Sequence, residues 1–396
     1  MFVEYKKVKA WTDRHAKGDP MIWMVVILLS LLGILVVYSA ISSLAYKRMI
    51  KGNGGDSSTE YYLVKHSLLV TGGLVLMWFA HKIDYRYYAK LARLALIVSV
   101  PLLIYTYFFG SSANNASRWI VIPVINQGFQ PSDLAKLALI SSVAGMLAKR
   151  QHNIDDLKDG VIPVLGWCGV ICGCIALTNF STAIMLFMTC MLLLFIGRVP
   201  MRYLAGLVII GMLVGTVAFF VGQRGRTLVA RIERYLDPSE VEPQAEQGFI
   251  AIANGGTFGL GPGNSMQKDF LPEAFSDMIY AVIIEEYGMV GGVFVLGLYL
   301  LLLYRGMVAA QNSKNAFGGL LSAGLSFSLA IQAMVNMAVA VGLFPITGQT
   351  LPLLSMGGTS LLFTGLSFGI ILSVSRGEID ESINLPEKPR FANQKK

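Results

Sequence analysis

Apolar runs of roughly bilayer-spanning length recur along the chain, at about 21–43, 62–81, 91–109, 131–148, 161–178, 181–197, 203–222, 278–304, 316–341 and 356–375. A helix needs about 20 residues to cross a hydrocarbon core of roughly 30 Å. The pattern therefore predicts an all-α polytopic membrane protein with about ten transmembrane helices. The fourth run is the weakest, because Asp133 and Lys136 interrupt its first turn. Most connections are short, but residues 223–277 form one large loop between the seventh and eighth helices. The organisation is a tail at 1–20, a single membrane domain at 21–375 and a polar tail at 376–396.

Composition agrees with that pattern. The 396 residues are 54% hydrophobic, with a mean hydropathy of +0.59, too much apolar surface for one soluble core. The net charge of +8 is dispersed over loops and tails instead of gathered in a patch, which argues against nucleic acid. With an even helix number, the side holding both termini carries 21 Lys and Arg and the opposite side 9, so both termini are expected in the cytoplasm. That puts the 223–277 loop outside. The basic lead before Met21 mimics a signal peptide, but the apolar run is long and many follow, so it reads as an uncleaved first helix. Cys168, Cys172, Cys174 and Cys190 lie in apolar runs and read as packing residues. The four histidines offer little to a metal or haem site.

Three external segments carry the candidate chemistry. The first, 110–130, holds Arg118 and Trp119 and leads into Pro131-Ser132-Asp133, a good helix start, with Lys136 three residues on and close enough to pair with Asp133. The Asp133–Lys136 pair reads as structural before reactive. Trp119 is read first as an interface anchor. The second runs from Gly255-Gly256 through Lys268 and Glu273 to Asp277, at the mouth of an apolar helix, and carboxylates at such a border are costly to keep. Earlier in that loop, residues 224–238 space arginines as an interfacial amphipathic helix does. The third, 342–360, has prolines, glycines and no charge; Ser355, Gly357 and Gly358 offer a turn that could receive an anion. Glu285 and Glu286 stand about two turns beyond Asp277 and point in different directions, so at least one is expected to be structural. Together these groups suit an amphipathic, anionic substrate, with a carboxylate as base and cations for a diphosphate.

Arg118-Trp119-Ile120, Gln130-Pro131-Ser132-Asp133 with Lys136, the 255–277 stretch followed by Glu285-Glu286-Tyr287-Gly288, and Pro345 through Ser360 resemble the signature blocks of the SEDS family (shape, elongation, division and sporulation). The match runs from about residue 20 to 376 in the right order. It implies a ten-helix peptidoglycan glycosyltransferase of the bacterial inner membrane. Ser265-Met266-Gln267-Lys268 is more similar to the division paralogue FtsW than to RodA of elongation.

The resemblance implies polymerisation of lipid II onto a glycan carried on undecaprenyl diphosphate, with inversion, at the septum. Asp277 would be the general base. Arg118, Trp119, Lys136, Lys268, Glu273, Ser355, Gly357 and Gly358 would contact substrate, with Lys268 or an arginine of 224–234 offsetting charge on the leaving diphosphate. It implies a class B penicillin-binding transpeptidase and division-site regulators as partners, besides membrane lipid. No metal ligand is assigned; a divalent cation stays open as cofactor. Asp133 stands in place of the family's usual Glu, and Asn179 in place of an Asp, which puts a charge role there in doubt. The alternatives are a lipid II flippase, which predicts polar residues reaching through to the cytoplasmic side, or a non-catalytic scaffold.

Overall fold

Apolar segments joined by short polar turns have to fold back on one another, and the computed structural model of the chain is a bundle of such helices. It describes residues 17–50, 59–113, 116–122, 127–151, 156, 160–221, 229, 231, 233, 235, 242–271 and 274–383. The helices are α1 (Pro20–Ile50), α2 (Thr59–Ala80), α3 (Tyr85–Phe109), α4 (Pro131–Lys149), α5 (Ile162–Thr178), α6 (Phe180–Ile196), α7 (Met201–Val221), α8 (Pro243–Gly255), α9 (Ile279–Asn312), α10 (Ala316–Ala340) and α11 (Ser360–Ile383). Among the described residues, six helices are long and apolar enough to cross a membrane: α1, α2, α3, α9, α10 and α11. Three further apolar helices, Ile162–Thr178, Phe180–Ile196 and Met201–Val217, are shorter.

The inside and outside of the bundle are both apolar. Val25, Leu29, Leu139, Ile171, Leu194 and Leu354 are buried at the centre, while Leu31, Leu68, Phe108, Met212 and Phe220 are exposed on the outside. A surface of that kind suits lipid. Helix α9 packs on α10, α2 on α11, and α3 on α4. Glycine lets α11 close on α2, since a Cβ on Gly365 would lie 2.1 Å from the Gly73 carbonyl.

Two features depart from the all-α expectation. The first lies between α3 and α4, a small antiparallel sheet of β1 (Ser111–Ala113), β2 (Ala116–Ile122) and β3 (Gln127–Phe129), in the order β1-β2-β3. Ile120, Val121 and Ile122 are β-branched and pair with Phe129, Gly128 and Gln127. The second is a break in α9, where Gly288 takes φ 71° and ψ −176°, a conformation open almost only to glycine. The glycine loop after α8 fills the break. Leu260 and Gly261 donate their N–H groups to the carbonyls of Glu285 and Glu286, and Met289 and Val290 donate to Gly256 and Thr257, at 2.9–3.2 Å. Thus α9 and the glycine loop share a backbone hydrogen-bond ladder. The proposed amphipathic stretch at 224–238 lies largely outside the described residues, as do Glu273, residues 1–16 and residues 384–396.

Candidate active site

A polar cavity of about 290 Å³ opens where α4, the hairpin and the 341–359 loop meet. Its walls include Arg118, Trp119, Asp133, Lys136, Asn179 and Gln332, and the glycines Gly348, Gly357 and Gly358. Pro131 starts α4 at its first helical position, and this places Asp133 in the first turn. Lys136 Nζ is 2.9 Å from Asp133 Oδ1, the pairing the spacing predicts. Lys136 also donates to Gln332 Oε1 at 3.4 Å. The other Asp133 oxygen is buried without a hydrogen-bond partner. A smaller cavity of about 40 Å³ continues below, past Ser328, Thr364 and Ser367.

Arg118 and Trp119 reach the cavity from β2. The hairpin is fixed there by small residues and hydroxyls: a Cβ on Gly128 would lie 3.0 Å from the Trp119 ring, and Thr359 Oγ1 donates to the Gly128 carbonyl at 3.4 Å. The ring of Trp119 lines the cavity.

Asp277 is 7% exposed and sits just before α9, behind the cavity wall formed by Ser276 and Gly348. Its Oδ2 is 3.9 Å from where a Cβ on Gly348 would stand. Its Oδ1 accepts from Gln244 Nε2 at 3.0 Å, and its carbonyl accepts from Asn336 Nδ2 at 2.8 Å. Asn336 Nδ2 also donates to the Gln349 carbonyl at 2.7 Å.

Other predicted residues fall elsewhere. Lys268 does not line this cavity; its Nζ donates to the Gly263 carbonyl at 2.7 Å and to Ser39 Oγ at 3.4 Å, and Ser39 donates in turn to buried Glu286. Ser355 is buried as a staple, donating to the Ser276 carbonyl at 2.5 Å and accepting from the Leu351 N–H at 2.7 Å. Glu285 is structural: it accepts from Ser265 Oγ and from the N–H groups of Met266 and Gln267, and so anchors the glycine loop. Arg231 is engaged with the Ile346 carbonyl at 2.8 Å. Asn179 caps α6, accepting from the Thr182 N–H at 3.3 Å, a task Asp and Asn perform equally well.

Gln244, Gln332 and Asn336 were not singled out from sequence. Gln332 and Asn336 stand one turn apart in a helix whose other polar side chains are the small hydroxyls of Ser322, Ser326 and Ser328, and isolated amides there are the available signal. Gln332 Nε2 donates to the Thr350 carbonyl at 2.9 Å, so α10 ties Lys136, the 341–359 loop and Asp277 together. Among the described residues no group of three or more His, Cys, Asp or Glu gathers as a metal-ligand set.

The FtsW/RodA/SpoVE family model, described as "Cell cycle protein", matches residues 19–379. The chain is 34% identical over 375 residues to a protein of Geobacter sp. (strain M18) named "Probable peptidoglycan glycosyltransferase FtsW", covering 91% of this chain and 98% of that one. It is 32% identical over 379 residues to the stage V sporulation protein E of Bacillus subtilis (strain 168), covering 92% and 99%. A solved chain from work on "Structural coordination of polymerization and crosslinking by a peptidoglycan synthase complex" superimposes with a TM-score of 0.70 at 27% identity, covering 91% of this chain and 98% of that one.

Proposed function

The chain belongs to the FtsW/RodA/SpoVE family, and from that membership we propose how its cavity works as the active site of a peptidoglycan glycosyltransferase. The enzyme class follows from relatives carrying that name at about a third identity over nearly the whole chain. The reaction is polymerisation of lipid II on the outer face of the inner membrane during septal wall synthesis. All ten apolar helices cross the bilayer in this reading, with both termini in the cytoplasm. The charged cavity residues then lie together on the outer side.

The observation that carries the mechanism is a buried carboxylate, Asp277, just behind the wall of a cavity that also holds Arg118 and Lys136. The 4-hydroxyl of the acceptor attacks the anomeric carbon of the donor sugar while Asp277 takes its proton. The carbon–oxygen bond to undecaprenyl diphosphate breaks with its electron pair, inverting the centre. Lys136 and Arg118 stabilise the negative charge that develops on the diphosphate. Lys268, bound to Gly263 and Ser39, is assigned instead to bracing the glycine loop. Gly357 and Gly358 shape the wall without side chains that would narrow it.

A class B penicillin-binding transpeptidase is the expected partner, in keeping with a similar chain studied within a synthase complex. Division-site regulators would direct the pair to the septum. The test is glycan polymerisation from purified lipid II by wild type and Asp277→Asn, each reconstituted alone and with the transpeptidase. Only the wild type is expected to make polymer. Long glycan from a correctly folded Asp277→Asn protein removes Asp277 as the base.

A further inference from the structure

We propose that the glycine loop at 256–270 is a membrane anchor: Phe258, Met266 and Phe270 insert into the phospholipid leaflet on the cavity side, and the bilayer border crosses α9 at Gly288. The proposal concerns a lipid-binding surface and stands apart from the assignment of Asp277 as base.

Helix α9 has 34 residues, about 50 Å at 1.5 Å per residue, against a hydrocarbon core of roughly 30 Å. Two polar contacts with α1 mark which part of it spans the core. At one end Arg305 Nε donates to Asp19 Oδ2 at 2.6 Å. At the other, Ser39 donates to buried Glu286. On each helix the two contact residues are about 20 positions apart, which is about 30 Å of helix. The contacts are therefore one hydrocarbon thickness apart.

Exposure follows the same limits. The exposed large apolar residues run from Met21 to Tyr38 on the described part of α1, and from Met289 to Tyr304 on α9. Tyr38 and Tyr304 stand at opposite ends of the span, where interfacial aromatic rings belong. From Ile279 to Glu286 every residue is buried, because α8, the glycine loop and α1 enclose that part of the helix. A Cβ on Gly255 would lie 2.1 Å from the Ile284 carbonyl, and one on Gly259 2.3 Å from the Glu286 carbonyl.

The glycine loop meets α9 at this border. Val290 donates its N–H to Thr257, so Phe258, 82% exposed, sits beside Met289 and Val290, which are exposed themselves. On the other flank the Gln267–Asp269 turn packs on α1, and Lys268 Nζ donates to Ser39 Oγ at 3.4 Å. Met266 and Phe270, 65% and 67% exposed, bracket that turn. The three side chains extend the lipid-facing surfaces of α1 and α9 without a gap, and this continuity selects lipid as what covers them. Lys268, level with Ser39, sets a cation at the height of the phospholipid phosphates, the arrangement of interfacial anchors.

The experiment uses the full-length protein with its four cysteines replaced by alanine, in vesicles of phosphatidylethanolamine and phosphatidylglycerol. A nitroxide is attached to one new cysteine at a time: Phe258→Cys, Met266→Cys or Phe270→Cys. Val293→Cys, on the exposed face of α9, is the lipid control, and Glu246→Cys, on the exposed face of α8, is the water control. Power saturation compares collisions with oxygen, which concentrates in lipid, and with a water-soluble nickel chelate. The three loop labels are expected to give oxygen-to-nickel ratios several-fold above that of Glu246→Cys, at a depth of about 5–10 Å. Ratios equal to that of Glu246→Cys overturn the proposal. Shielding from nickel that appears only when the transpeptidase is added overturns it too, because the surface is then a protein contact. If the cysteine-free protein does not melt like wild type, Phe258→Trp in the native background gives a second reading. Its added emission is expected to be quenched by phosphatidylcholine brominated on the acyl chains, and quenching by aqueous iodide alone overturns the proposal.

Discussion

Replacing Gly288 with alanine tests whether the glycine loop and the broken helix are one structural unit. The backbone at Gly288, φ 71° and ψ −176°, costs any L-residue about 1–3 kcal/mol. The added Cβ would also lie 2.2 Å from the Thr257 carbonyl and 2.5 Å from the Phe258 nitrogen, main-chain atoms that cannot turn aside. The loop has to lift from α9, which breaks up to four backbone hydrogen bonds at about 1 kcal/mol each. The combined penalty is up to about 5–7 kcal/mol, a large part of the stability of an ordinary domain. Because the loop leads into Asp277, polymerisation is expected to fall more than about 100-fold although no cavity residue has changed. Gly297 provides the control in the same helix, since nothing lies within 4 Å of a Cβ there. Gly297→Ala should be neutral or stabilising by up to about 1 kcal/mol. Hydrogen exchange over residues 255–271, run beside the polymerisation assay, follows the loop directly. Wild-type protection and activity in Gly288→Ala would refute the docked-loop account.

Two further outcomes follow from the buried charges. Glu285→Gln preserves shape but weakens the charge-assisted bonds from Ser265, Met266 and Gln267, and should cost about 1.5–3 kcal/mol, read as a lower melting temperature and earlier proteolytic cleavage of the 255–271 loop. Lys136→Met leaves Asp133 as an unpaired buried carboxylate and should destabilise by about 2–4 kcal/mol. Adding Asp133→Asn should recover much of the melting temperature and none of the polymerisation, which separates the structural task of the pair from its task at the diphosphate.

Much of the membrane core was legible because hydrophobic length is a local property. Each apolar run corresponds to a helix, and Pro131-Ser132-Asp133 marked the start of α4. The Asp133–Lys136 pair was legible for the same reason, since both residues lie on one turn. The destination of Lys268 was not, because Ser39 is 229 positions away and nothing local links them. Ser355 looked like a ligand contact, yet its hydroxyl is used up in holding the 341–359 loop to Ser276. Gln244 and Asn336 were missed because an amide shows no preference for a partner until the fold brings one to it. The hairpin is hard to read from sequence because the Ile120-Val121-Ile122 run becomes a strand signal only when set against Gly128. Gly288 stood inside a helical pattern, where a lone glycine is tolerated, and only the arrival of Thr257 and Phe258 shows why the helix breaks there.

The ladder between the glycine loop and α9 also limits how this protein can be re-engineered. A loop tied to its host helix through main-chain atoms cannot be transplanted as an independent cassette. A chimera that takes residues 255–261 from a paralogue has to take the 284–290 segment with them, because the two strands of the ladder fit as a pair. Variation between relatives is then expected to be inherited across both segments together, with side chains free to change and the glycines at the crossing points held.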